Sequence, residues 1–432
     1  MNIRHKKILL FGLCLAFIMI TGDSYLTLSG DSPFFPSLPS QESFPSVVAN
    51  GRHPAPPRGV EWKVSFKEDL TIGVEEGDEN CMFGSRLWFN VDDRGNIYAV
   101  DWDRKRIQMY GPDGKYRLSI GRRGQGPGEF GNIWMPHFDG RGNLYARDIV
   151  NHKVAFFDPS GKLIKEIKMS AKAGDIQVNS RGDYAGYISE EKTDPKSGMQ
   201  VIFSYGLFDK EFSPVAILQQ TTWSPASPSG RDPESVARFL AETMSQGALA
   251  PEVTFFLGRD DRIYVGYPES YEIRVYSPEG KPERMIRKDQ PPQPVREAHK
   301  KDYAAAQERD LLFSLASRVP ESIRKKALSL IRYPKHLPAY QKFALMDNGW
   351  LAVVVDAIRA GQAKIDIFDE NGVYIAEVMA RLPVDGLTFR RDKVYAITET
   401  EDGYKFIKRY SWKAEKENRQ GPGVIILKNK LG

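Results

Sequence analysis

The chain has 432 residues, with 61 Lys and Arg against 56 Asp and Glu, and 41% of its residues are hydrophobic. That length exceeds most single-core folds unless the chain forms a barrel, a propeller or two domains. The charge balance gives no electrostatic argument for nucleic acid, which needs a clustered basic face, and the two cysteines, Cys14 and Cys81, supply neither a disulfide framework nor a cysteine-based zinc site.

Arg4, Lys6 and Lys7 precede the apolar run ILLFGLCLAFIMI (8–20), which is shorter than the roughly 20 residues that span a bilayer. Residues 1–30 therefore read as a secretory signal, the alternative being an uncleaved anchor that tethers the chain to a membrane. Leu13 before Cys14 makes a poor lipoprotein box. The expected location is extracytoplasmic: periplasmic, at the cell surface or secreted. Residues 31–59 carry seven prolines and no apolar periodicity, the composition of an extended, solvated Pro/Ser-rich tether. The fold is expected over 60–432.

The next feature in chain order is a repeat. FNVDDRGNIYAVDWDRKRIQMYGPDGKYRLSIG (89–121) aligns with HFDGRGNLYARDIVNHKVAFFDPSGKLIKEI (137–167), Gly95 matching Gly142 and Gly114 matching Gly161 at one offset of 47. A third copy (258–286) keeps the 19-residue step from Asp261 to Gly280, and weaker copies at 179–212, 346–375 and 389–413 make six units. In the first unit, strands are predicted at 86–91, 96–100, 106–111 and 115–120 from alternation, β-branched and aromatic enrichment, and the DDRG and PDGK turns between them. A single four-stranded sheet cannot bury both faces, whereas six arranged radially can. The expected fold is all-β, a six-bladed β-propeller of four-stranded antiparallel blades with helical insertions on one face. Residues 62–73 or VIIL (424–427) supply the strand that closes the ring, and both remain open.

GRRGQGPGEF (121–130) holds four glycines beside two arginines. A phosphate-binding loop runs from a strand into a helix, but here another strand follows. The glycines read as a connector between blades. Two longer connections, about 221–251 and 289–340, contain helical spacing at 233–244, 294–318 and 321–333. The last carries an apolar stripe of Ile323, Ala327, Leu328 and Ile331, expected against the propeller rim.

The segments GNIYAVD, RIQMYGPDGK and IGRRGQGPGEF, with Asn151-His152 in NHKVAFFD, resemble the NHL-repeat six-bladed propellers over roughly residues 62–412. The resemblance implies a propeller with a binding face. The family includes scaffolds, sensors and enzymes, so no single activity follows.

Strand parity separates two faces. First-to-second and third-to-fourth connections are tight turns, while second-to-third and blade-to-blade connections hold every long element, and long loops on a rigid scaffold are where binding resides. The candidate ligand-binding residues follow. Asp101, Trp102, Arg104, Asp148, His152, Tyr187, Tyr267 and Asp356 are assigned to second-to-third loops, with Glu399 beside them. His137, Asp175, Lys342 and Asp385 come from the inner strands, with Asn90 and Gln177 in the same polar series. Asp101 and Asp148 also read as turn caps. His53, His137, His152, His299 and His336 show no metal-binding spacing, and no G-x-S-x-G is present. The expected function is binding of a protein or small-molecule ligand without catalysis or cofactor. The alternative is a hydrolase or lyase with calcium or zinc at the channel mouth, as in lactonase-like and amidating-lyase-like propellers.

Overall fold

A computed structural model describes residues 43–56, 60–84, 86–169, 173–194, 198–226, 230–312, 319–358, 362–400 and 402–418. In the first repeat, strands form at Leu87–Val91, Ile97–Asp101, Arg106–Tyr110 and Tyr116–Ile120, hydrogen-bonded in that order as an antiparallel meander. The second strand is buried at every residue, and only the fourth alternates between exposed and half-buried positions. Neighbouring blades cover both faces of the inner strands, so period-two patterning survives only at the rim.

The tight turns repeat one device. The Asp92 carboxylate accepts from the backbone N–H of Arg94 and Asn96 at 2.9 and 2.8 Å, and Gly95 takes φ +86°. Asp139 does the same for Arg141 and Asn143 before Gly142. A side-chain acceptor followed by a left-handed residue favours glycine, which has no Cβ penalty there. Blade four places Asp261 in that position at φ +60°, and its carboxylate takes the N–H of Ser180 in blade three.

Five further sheets complete the ring, with first strands at Ile133–Phe138, Ala173–Val178, Thr254–Leu257, Lys342–Leu345 and Asp385–Arg390. The sixth blade is closed by Val60–Ile72, which pairs antiparallel with Lys405–Asn418. This settles the closing strand in favour of the early segment; residues 424–427 lie outside the described residues. A bulge at Asp69 turns its carboxylate to Arg409 at 2.6 Å and to Lys393.

Part of the segment expected as a tether over residues 31–59 pairs with the fold, although most of its described residues stay exposed. Val47–Asn50 adds a fifth, parallel strand to blade four along Met285–Lys288. The Asn50 amide then donates to Gly372 O at 3.0 Å and accepts from Tyr374 N at 2.8 Å, stapling blade four to blade five. The prolines masked a short β-forming VVAN, whose backbone groups find partners on an open sheet edge.

Helix α1 (Pro233–Gln246) starts on Asp232, which caps Glu234 N and Ser235 N, with Pro233 at the first turn. Helices α2 (Glu297–Leu312) and α3 (Glu321–Ser329) follow in the next long connection. The stripe of Ile323, Ala327, Leu328 and Ile331 does not lie on the propeller rim. It packs with Ala237, Leu240 and Met244 of α1 in a separate helical core whose members all come from 226–249 and 303–333. The two insertions cover each other because each has one apolar face and the other supplies its partner.

Candidate functional site

The two faces differ as parity requires. On the tight-turn face, Arg259 of blade four meets Asp93 of blade one at 2.8 Å and Asp347 of blade five at 3.3 Å. Arg390 of blade six is 3.5 Å from the same Asp93. Blades one and four oppose each other across a six-membered ring, so this network crosses the channel end on that face. The connector, the helices and the longer turns all stand on the other face.

The second-to-third turns there are organised by buried carboxylates. Asp148 is 0% exposed and accepts from Gly131 N, Asn132 N, Val150 N, Asn151 N and Asn151 Nδ2 at 2.7–3.1 Å. It thereby pins the exit of GRRGQGPGEF onto blade two. Within that connector Arg122–Arg123 pairs with Glu129–Phe130, the Gly126 N–H donates to Glu129, and a strand follows. Asp101 accepts from Arg104 N at 3.1 Å and from Arg106 Nε at 3.1 Å. Both aspartates are spent on their turns.

Trp102 is half-buried between two cations, with Lys105 Nζ 3.5 Å and the Arg86 guanidinium 4.5 Å from its ring centre. Burial, and then Arg123, lower the Lys105 pKa. Arg104 is 40% exposed beside Asp101. His152 is exposed at φ +49°. Tyr267 follows Ile263–Gly266 and packs into the interior between blades three and four. Tyr187 and Asp356 are not loop residues: they lie within Tyr184–Asp194 and Leu351–Ile358, because those hairpins extend beyond the repeat consensus, whereas Glu399 ends Lys393–Glu399 as Asp101 and Asp148 end their strands.

The inner polar series largely joins blades. Asn90 donates to Pro136 O, Gln177 accepts from Leu257 N, Lys342 donates to Val384 O and Arg390 donates to Val91 O. Asp385 opens the first strand of blade six at a bulge. His137 and Asp175 instead meet each other: Nε2 lies 3.3 Å from Oδ1, with the side chains 13% and 30% exposed. His137 also stacks on Tyr145. Two donors fall short of the three or more protein ligands that zinc takes and the larger oxygen set of calcium, and no third His, Cys, Asp or Glu joins them among the described residues. Cys81 has its thiol pushed up to about 11, by burial first and then by Asp78, so it stays protonated at neutral pH.

Sequence reasoning missed Arg147. It stands opposite a bulge in the first strand of blade two, and Tyr187 stands opposite one in blade three. Bulges re-aim side chains and are enriched next to functional sites. The Arg147 Nε is buried and meets no hydrogen-bond acceptor. Burial lowers its pKa, against the pull of Tyr187 and Asp175. The arrangement brings His137, Asp175, Tyr187 and Arg147 to one seam between blades two and three. The signal was present in the repeat, where the 47-residue offset sets Arg147 against Val100.

Residues 76–222 match the family model of a six-bladed β-propeller, DUF5128. Comparison with curated proteins gives no match. Among solved structures, a protein of Bacteroides fragilis is similar at 12% identity, covering 85% of this chain and 100% of its own, with a TM-score of 0.47. The virginiamycin B lyase of Staphylococcus aureus is similar at 11% identity, covering 81% and 99%, with a TM-score of 0.39. A gluconolactonase of Xanthomonas campestris is similar at 10% identity, covering 83% and 98%, with a TM-score of 0.35. The chain is a six-bladed β-propeller of four-stranded antiparallel blades.

Proposed function

We propose that this protein is an exported, NHL-type propeller that binds a ligand or protein partner through its long-loop face, without catalysis. The observation that carries the reading is the asymmetry of the two faces. Arg259, Asp93 and Asp347 bridge the channel end among the tight turns, while Trp102, Arg104, His152 and the helical insertions all stand on the opposite face. The inner polar series supports binding over catalysis, because most of its members are engaged in joining blades. Export is supported by the basic start and short apolar run of residues 1–20. N-terminal sequencing of the exported protein is expected to begin between about Asp23 and Ser32, whereas a chain still starting at Met1 would indicate an anchor.

The site is tested by substitution against a panel of small molecules and peptides, read by thermal shift and calorimetry. Trp102→Ala and Arg104→Ala are expected to weaken binding, an anchor residue of this kind carrying about 2 kcal/mol or more. Asp113→Ala and Ser160→Ala, in tight turns of the other face, should leave it unchanged. A folded tight-turn variant that abolishes binding sinks the reading. Stoichiometric metal in the purified protein, released by His137→Ala, would favour a metal-dependent hydrolase or lyase instead.

A further inference from the structure

Arg147 occupies the fourth position of the second strand of blade two. The register places Val100, Gly266, Val354 and Ile397 at the same position in blades one, four, five and six, and Tyr187 in blade three. Val100 and Val354 are 0% exposed, so the seam between blades ordinarily takes an apolar or small residue there. A guanidinium in such a place is costly unless something compensates it. Its Nε finds no acceptor. Tyr187 and then Asp175 of the next blade act on it electrostatically, and Asp175 pairs with His137 at 3.3 Å. Two adjacent blades are bulged at this height, and bulges re-aim side chains.

Resting on the binding reading above, we propose that Arg147, Asp175 and His137 form a recognition site between blades two and three for a small hydroxylated carboxylate, of which a uronic acid is a simple example. The planar guanidinium fork matches one carboxylate in bidentate geometry, and that monoanion gives the unpaired Nε an acceptor. A phosphate dianion fits less well, because Asp175 would repel its second charge. The Asp175 carboxylate, 30% exposed, accepts a ligand hydroxyl. His137 holds Asp175 in place from the inner strand of blade two. Charge is thus read by Arg147 and the hydroxyl pattern by Asp175.

The purified full chain is titrated calorimetrically with D-glucuronate and with D-glucose, which differ at the carboxylate. Glucuronate is expected to bind saturably and glucose at least about tenfold more weakly. Arg147→Gln should lose at least about tenfold in glucuronate affinity while its Tm stays at or above that of the parent, since a half-buried charge whose Nε has no acceptor has been removed. Asp175→Asn should weaken glucuronate and narrow its preference over simple carboxylates such as acetate. Should Arg147→Gln fold poorly, Arg147→Lys, which keeps the charge and loses the fork, takes its place in the same titration. Equal binding of both sugars, unchanged glucuronate affinity in the arginine variant, or no glucuronate heat up to about 10 mM overturns the site. If that happens while another ligand binds in a Trp102- and Arg104-dependent way, this site falls and the binding reading stands.

Discussion

Blades one and two are the most alike in sequence and differ most in what they do with charge. Blade one sets Val100 into an apolar interior with Trp88, Ile107 and Ile133, and its turn aspartate, Asp101, is compensated by Arg104 and Arg106. Blade two sets Arg147 at the Val100 position, and its turn aspartate, Asp148, is held by four backbone N–H groups and the Asn151 amide. The backbone pattern is shared because the same turn acceptors and left-handed glycines specify it. The side chains between blades are released from that pattern, so a departure there carries chemical meaning.

Exchange of residues breaks the comparison most severely. Val100→Arg would bury a charge in a dry interior with no bulge beside it, and a loss above about 4 kcal/mol is expected by chemical denaturation. Arg147→Val should run the other way and stabilise the fold by about 1 kcal/mol, as replacement of a half-buried, incompletely hydrogen-bonded charge does. Equal and opposite effects would mean that the two seams are alike, and would remove the reason to treat blade two as special.

The turn aspartates come next. Asp148→Ala leaves buried N–H groups unpaired on both the turn and the GRRGQGPGEF exit, and should cost about 3 kcal/mol. Asp101→Ala frees two arginines that are 19% and 40% exposed and can turn to water, so its cost should be about 1–2 kcal/mol. Hydrogen exchange at Gly131 and Asn132 should rise only in the Asp148 variant.

How much of this was legible beforehand follows the same division. The six units, the two faces and the connector role of GRRGQGPGEF were readable because backbone geometry repeats as DDRG, DGRG and PDGK. The docking of Val47–Asn50 was not, since an edge strand needs only a partner edge and leaves no periodicity. Tyr187 and Asp356 were misplaced into loops because their hairpins outgrow the consensus length. Asn90 and Gln177 read from the sequence as inward polar residues suited to inter-blade hydrogen bonds, and tertiary placement supplies their partners, Pro136 and Leu257. Arg147 was overlooked because an arginine in YARDIV reads as surface until register puts it beside Val100.

The ring closure supplies a milder contrast. Asp148 is held by amides, whereas Asp69, on the strand that closes the ring, is held by Arg409 and Lys393. Burial alone would raise the Asp69 pKa, but the hydrogen bonds from those two cations prevail and lower it below the ordinary value of 3.8. A carboxyl with a depressed folded pKa adds stability above its unfolded pKa and loses it as pH falls through the folded value. Stability should therefore decline below about pH 4, and Asp69→Asn should flatten that part of the acid limb in urea titrations. An unchanged acid limb would mean that closure does not depend on this carboxylate.

The smallest effect tests whether the difference between the blades stops at the backbone. Gly95 and Gly142 occupy the same turn position at φ +86° and +80°. A Cβ at Gly142 would meet nothing within 4 Å, and one at Gly95 would make only ordinary contacts at 3.6 Å with Arg391 and Pro112. Neither site has a steric penalty beyond the left-handed backbone itself, which costs an L-residue about 1 kcal/mol. Gly95→Ala and Gly142→Ala should therefore destabilise equally, within about 0.5 kcal/mol of each other, in matched denaturation curves. A larger cost in blade two would show that the bulge opposite Arg147 is felt on the opposite face, and that the two blades differ in their backbones as well as in their side chains.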